Sequence, residues 1–82
     1  METAFIFIRT SPGQEETIAN QLKRIDGVDE AYVVFGEYDV VAKVHALTRE
    51  AINSLVVNRV QKIDGLKNLC VSLVIDLNLP YL

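Results

Sequence analysis

At 82 residues, half of them hydrophobic and 23% charged, the chain is too apolar for a disordered tail and long enough for one domain, which alone buries only about 60 to 65% of its unfolded surface. A net charge of -3 and a pI near 4.9 oppose autonomous binding of nucleic acid, whose phosphates require a basic stripe. No apolar run reaches the roughly 18 residues of a membrane span, Met1-Glu2-Thr3 lacks the basic start of a signal peptide, and a lone Cys70 with a lone His45 supplies neither a disulfide nor a structural zinc set. A cytoplasmic protein without metal or cofactor is expected.

Ala4-Phe5-Ile6-Phe7-Ile8 reads as a first strand, and its apolar residues stand on both sides of the period-two alternation. Ser11-Pro12-Gly13-Gln14 then supplies a capping residue, a proline at the first helical position and a capping-box glutamine, so a helix is expected to open there. Its apolar stripe is Ile18, Leu22 and Ile25, with Glu15 and Glu16 at the positive end, Lys23 and Arg24 at the negative end, and Gly27 as a left-handed stop. A second strand is expected from about Glu30 to Phe35, a tight turn at Gly36-Glu37-Tyr38-Asp39, and a third strand from Val40 to about His45, the pair forming a hairpin. Thr48 can cap a second helix with a stripe of Ile52, Leu55, Val56, Val60 and Ile63, ending at Gly65, before a last strand over Leu69-Cys70-Val71-Ser72-Leu73-Val74-Ile75.

The order is β-α-β-β-α-β, and the two halves echo one another. Lys23-Arg24-Ile25-Asp26-Gly27-Val28 recurs as Gln61-Lys62-Ile63-Asp64-Gly65-Leu66 at an offset of 38, which also lays Ile18 on Val56 and Leu22 on Val60. Two interleaved strand-helix-strand units make a ferredoxin-like α+β sandwich, an antiparallel sheet in order 4-1-3-2 with both helices on one face. The strands are apolar on both sides, so the face without helices is expected to meet a second copy of the chain.

Candidates for chemistry are few. The glycines stand apart at Gly13, Gly27, Gly36 and Gly65, with no phosphate loop and no nucleophile-base pair among them. His45 reads as solvated or hydrogen-bonded, and Cys70 as a small buried hydrophobe. Phe5 and Phe7 are reminiscent of base-stacking strands, but Val40, Val41, Ala42 and Val44 stand where an RNA-recognition module places aromatics. Gly36-Glu37-Tyr38-Asp39 is explained by turn chemistry, yet exposed amides, an aromatic ring and a carboxylate together can also hold a zwitterion.

Pro12-Gly13, Ile25-Asp26-Gly27-Val28, the hairpin stretch from Gly36-Glu37-Tyr38-Asp39 through Val44, and Ile63-Asp64-Gly65-Leu66 together resemble the ligand-sensing (RAM) domain of the Lrp/AsnC, or feast/famine, regulators. The resemblance covers nearly all of residues 1–82, and its most specific element is the Gly-x-Tyr-Asp hairpin followed by an apolar strand. Members usually carry a helix-turn-helix as well, and these residues read as the sensing domain alone. The resemblance implies a non-enzymatic amino-acid-binding module, dimeric and α/β barrel-like through paired sheets, with dimers assembled into rings. It also implies an effector bound between dimers at the hairpin: Gly36, Glu37, Tyr38 and Asp39, joined by Asn68, Leu69 and Val71 from the last strand. Many members have hydroxyl residues where Leu69 and Val71 stand, so an aliphatic amino acid such as isoleucine or leucine is the expected ligand. A full-length regulator of the same family is a further implied partner; direct nucleic-acid and membrane partners are not. Two other readings compete, a small dimeric monooxygenase or isomerase of the same fold and an ACT-like regulatory domain.

Overall fold

In chain order, the residues that the computed structural model describes, 1–75, form β1 (Glu2–Thr10), α1 (Glu15–Lys23), β2 (Val28–Val33), β3 (Val40–Ala46), α2 (Arg49–Leu55) continued by a π-helical turn (Val56–Val60), and β4 (Leu66–Leu73). The domain reading of 1–82 extends past them, and residues 76–82 lie outside the description. The sheet is antiparallel, in order β2-β3-β1-β4, the 4-1-3-2 order expected from the sequence.

Alternation along β1 sorts the two faces. Ala4, Ile6, Ile8 and Thr10 are buried under the helices, whereas Phe5 and Phe7 are half-buried on the open face and Arg9 is exposed. Facing Ala4, Ile6 and Ile8 are Ile18, Ala19, Leu22 and Ile25 from the α1 segment and Ile52, Val56 and Val60 from the α2 segment, so both sequence stripes become core. The helices rest mainly on β1, β2 and β3. Consequently Val71 and Leu73 point to the helix side of β4 yet remain partly exposed.

The half-chain echo is realised in three dimensions. Gly27 and Gly65 both take positive φ, +97° and +90°. Around each glycine the same tight turn closes: the amide of Val28 donates to the Ile25 carbonyl (3.1 Å) and that of Leu66 to the Ile63 carbonyl (3.4 Å). Each turn delivers the chain to the first residue of a strand.

Several element limits and one burial differ from expectation. The second helical segment ends at Val60, short of Ile63 and Gly65, and the last strand at Leu73, short of Ile75. α1 opens at Glu15, not at Ser11, because Gly13 sits at φ +86°, which no helix accommodates; Gln14 occupies the N-cap position without a side-chain hydrogen bond, and its amide donates to the Ser11 carbonyl (3.1 Å). β2 runs from Val28 to Val33 instead of Glu30 to Phe35. The Gly27 turn releases the chain earlier, and the Val34 amide closes the loop on the Asp39 carbonyl (2.9 Å), leaving Phe35 outside the ladder. The last strand likewise starts three residues earlier than expected, at Leu66, because the Gly65 turn delivers it directly to the sheet. Cys70 is exposed, not buried, since it pairs with Phe7 on the open face. The Thr48 cap is present as expected, its Oγ1 accepting from the Ala51 amide at 3.1 Å.

Candidate functional site

The β2–β3 connection occupies residues 34–39, longer than a two-residue hairpin turn. Its geometry is set from the β1 side. The Asp39 amide donates to the Ile8 carbonyl (2.9 Å), and Oδ2 of Asp39 accepts from the Thr10 amide (2.9 Å). Asp39 thus fastens the loop to the end of the central strand by main chain and side chain together, while the other carboxylate oxygen enters no hydrogen bond among the described residues. At the loop tip Gly36 has φ +153° with open space where a side chain would stand, so its conformation and not crowding selects glycine. Phe35 beside it is fully exposed. Among the described residues, the amides of residues 35–38 enter no backbone hydrogen bond.

The loop has two sides. Toward the helices, a cleft of about 690 Å³ is lined by Val33, Val34, Phe35 and Gly36 with Gly13, Glu15, Glu16 and Asp39. Toward the open face, the Tyr38 ring packs against Phe7, centroids 5.6 Å apart and tilted by 48°, and the Arg9 guanidinium lies 5.3 Å from the Tyr38 ring centroid. Arg9 also forms an ion pair with Glu37 at 3.7 Å.

The register lays the open face out in rows. Tyr32, Val41, Phe7 and Cys70 form one row across the sheet, and Glu30, Lys43, Phe5 and Ser72 the next. Lys43 pairs with Glu30 at 3.9 Å, and the Tyr32 hydroxyl donates to Glu30. That hydrogen bond, reinforced by the carboxylate charge, raises the pKa of the Tyr32 phenol above its ordinary value. A bulge between Val28 and Glu30 turns Asp29 toward His45, whose Nδ1 lies 2.7 Å from Oδ1. His45 is therefore hydrogen-bonded at the sheet rim.

Of the expected site residues, the structure groups Gly36, Glu37, Tyr38 and Asp39 at one corner. Within one chain it brings Asn68 only as far as Arg9, its register partner across β1 and β4, and leaves Leu69 and Val71 apart from that corner. Leu69 is paired with Ile8, so β1 lies between it and Val40 at the hairpin's foot. Asn68 and Leu69 instead line a separate depression with Gln61, Leu66 and Lys67, and Val71 a groove beside α2 with Arg49, Ile52, Asn53 and Val56. Arg9 and Thr10 were not singled out from the sequence. Their place at the loop follows from strand register, which one-dimensional spacing does not display. No group of three or more histidine, cysteine or acidic side chains suited to a metal occurs among the described residues, and no helix there is long and apolar enough to cross a membrane.

Residues 3–77 match the family model of the Lrp/AsnC ligand binding domain. An uncharacterized HTH-type transcriptional regulator of Pyrococcus horikoshii is 39% identical over 66 residues, a match covering 77% of this chain and 44% of that protein, so the chain spans less than half the length of this relative. The crystal structure of FFRP-DM1 superposes with a TM-score of 0.86 at 32% identity, covering 92% of this chain and 100% of that one. A Neisseria meningitidis transcriptional regulator solved as its L-methionine complex shares the fold, with TM-score 0.82 at 18% identity over 94% of this chain and 51% of its own.

Proposed function

Because the chain belongs to the Lrp/AsnC ligand-binding domain family, we propose that it is a non-enzymatic regulatory module that binds an amino acid at the 34–39 hairpin and reports occupancy through its assembly or through a regulator partner. The carrying observation is the conjunction of the family match with a loop whose amides at residues 35–38 are free of backbone bonds and whose Asp39 keeps one unbonded carboxylate oxygen. Amides of this kind suit a ligand carboxylate, and the Asp39 oxygen suits its ammonium. The apolar surface of Val33, Val34 and Phe35 beside them suits an aliphatic side chain.

The open sheet face is the proposed dimer surface. Its central row of Tyr32, Val41, Phe7 and Cys70 is apolar, with Lys43–Glu30 and His45–Asp29 pairs to one side. Leu69 and the groove at Val71 lie away from the hairpin of their own chain, so they join an effector site only when another copy brings its hairpin to them. That is the reading of an effector held between dimers, with dimers closing into a ring. A full-length regulator of the same family, docking through the same surfaces in the cytoplasm, is the proposed downstream partner.

Isothermal calorimetry of the chain against the proteinogenic amino acids tests the ligand. Leucine, isoleucine or methionine should bind with the highest affinity, methionine being included because the Neisseria relative was solved with it. A panel without any binder, with the dimer intact, would remove the sensing role.

A further inference from the structure

We infer that Phe35 at the hairpin tip is a docking anchor, and that the groove between α2 and β4 of another copy receives it; this rests on the reading above of an effector held between dimers and assigns the contact that closes the ring. β4 is an edge strand of the sheet, and the helices lean toward β1, β2 and β3. The helix side of β4 is therefore only partly covered, and Val71 and Leu73 remain 37% and 39% exposed. With Ile52 and Val56 from the α2 segment they line a groove of about 250 Å³, whose polar lining is Arg49 and Asn53. Phe35 is the complementary feature. It is fully exposed in the 34–39 loop, and aromatic side chains of this size are the ones that gain most from burial in a partner's pocket.

A single chain cannot make this contact with itself. Val71 stands on β4, and β1 and β3 lie between that strand and β2, from which the loop departs. Each dimer carries two tips and two grooves, so every tip finds a groove when dimers close into a ring. Charge favours the same docking. Glu15, Glu16 and Asp39 line the cleft beside Phe35, and Glu37 belongs to the same loop, whereas the groove carries Arg49 and no carboxylate in its lining. An acidic corner thus meets a cation. Within its own chain Arg49 has only an exposed ion pair with Glu2 at 3.6 Å, the kind of contact that holds a side chain weakly.

The proposed ligand enters the same contact. Its aliphatic side chain, resting on Val33, Val34 and Phe35, adds apolar surface to the tip, so the groove takes an occupied hairpin more tightly than an empty one. By reciprocity the amino acid binds the ring more tightly than the free dimer, and assembly becomes the readout of occupancy.

Sedimentation velocity with and without L-leucine tests the docking. The parent should form a species larger than the dimer, and at lower protein concentration when leucine is present. Phe35→Ser and, on the opposite surface, Val71→Arg should each raise the concentration for half assembly by at least about tenfold, while remaining dimers with the parent's circular dichroism. Should Val71→Arg not keep that spectrum, cross-linking takes its place: in a Cys70→Ser background, Phe35→Cys together with Val71→Cys should join copies under mild oxidation, and Phe35→Cys alone should not. Assembly by Phe35→Ser equal to the parent's, or no cross-link beyond that of the single cysteine, overturns the docking and leaves the ring reading standing. A parent that binds leucine and never exceeds the dimer overturns the docking and the ring together and leaves the hairpin site. A parent that binds no amino acid yet assembles through Phe35 upholds the docking and removes the sensing role.

Discussion

Asp39 holds two roles that a single alanine substitution would confuse. Its Oδ2 accepts the Thr10 amide and ties the loop to β1, while the proposed ligand ammonium would use the other oxygen. Asp39→Asn keeps an oxygen acceptor for the Thr10 amide and removes the charge, so stability should change by less than about 0.5 kcal/mol. Amino-acid binding should still weaken by roughly 1.5 to 3 kcal/mol, about ten- to a hundredfold. Calorimetry and urea unfolding on the same variant separate the two roles, and unchanged ligand affinity would leave Asp39 a structural clamp only. Tyr32 offers a test of the open-face network by pH. Its hydrogen bond to Glu30 favours the protonated phenol, so the folded pKa is raised, and the stabilising contribution is present below the ordinary tyrosine pKa and lost as pH rises through the folded value. Ultraviolet titration should find one tyrosine ionising above the ordinary range, and Glu30→Gln should bring it down.

At the scale of elements, glycines with the same sign of φ do different work. Gly27 lies at φ +97°, and a Cβ there would stand 3.1 Å from the His45 carbonyl oxygen, in a backbone already held by the His45 amide donating to the Gly27 carbonyl at 2.8 Å. Neither partner is a flexible side-chain tip, so Gly27→Ala combines a left-handed backbone with a clash and should cost about 1 to 3 kcal/mol. Gly36 has φ +153° and nothing within reach of an added Cβ. Gly36→Ala should therefore lower the urea midpoint less than Gly27→Ala does, and its effect should fall on amino-acid binding, where the loop amides must keep their directions. Equal midpoints for the two variants would show that the turn before β2 is not a tight constraint.

For the molecule as a whole, the open face decides whether the chain stands alone. Its apolar row of Tyr32, Val41, Phe7 and Cys70 should be buried in a dimer, and a carboxylate placed in that row cannot be desolvated without a partner. Phe7→Glu should give a monomer by analytical ultracentrifugation at micromolar concentration, whereas Leu47→Glu, at a position already 76% exposed outside the sheet, should leave the dimer intact. Cys70 reports the same event chemically: its thiol should react slowly with a maleimide in the parent and rapidly in Phe7→Glu. A parent that sediments as a monomer would end the dimer proposal.

Local chemistry was legible from the residues alone. The stripes of Ile18 and Leu22 and of Ile52, Val56 and Val60, the Thr48 cap and the Gly27 and Gly65 turns depend on neighbours a few positions away, and all stand where their spacing places them. The strand order followed from their succession, because a repeated strand-helix-strand unit has few ways to bury its helices on one sheet face. Contacts between distant residues were not legible. That Asp39 is bound by Thr10, that Arg9 lies over Tyr38, that Cys70 faces out beside Phe7, and that Leu69 and Val71 stand apart from the hairpin all follow from strand register and from helices that lean toward β1, β2 and β3. Register is settled when the sheet and its helices pack together, and a one-residue slip would turn each of these side chains to the opposite face.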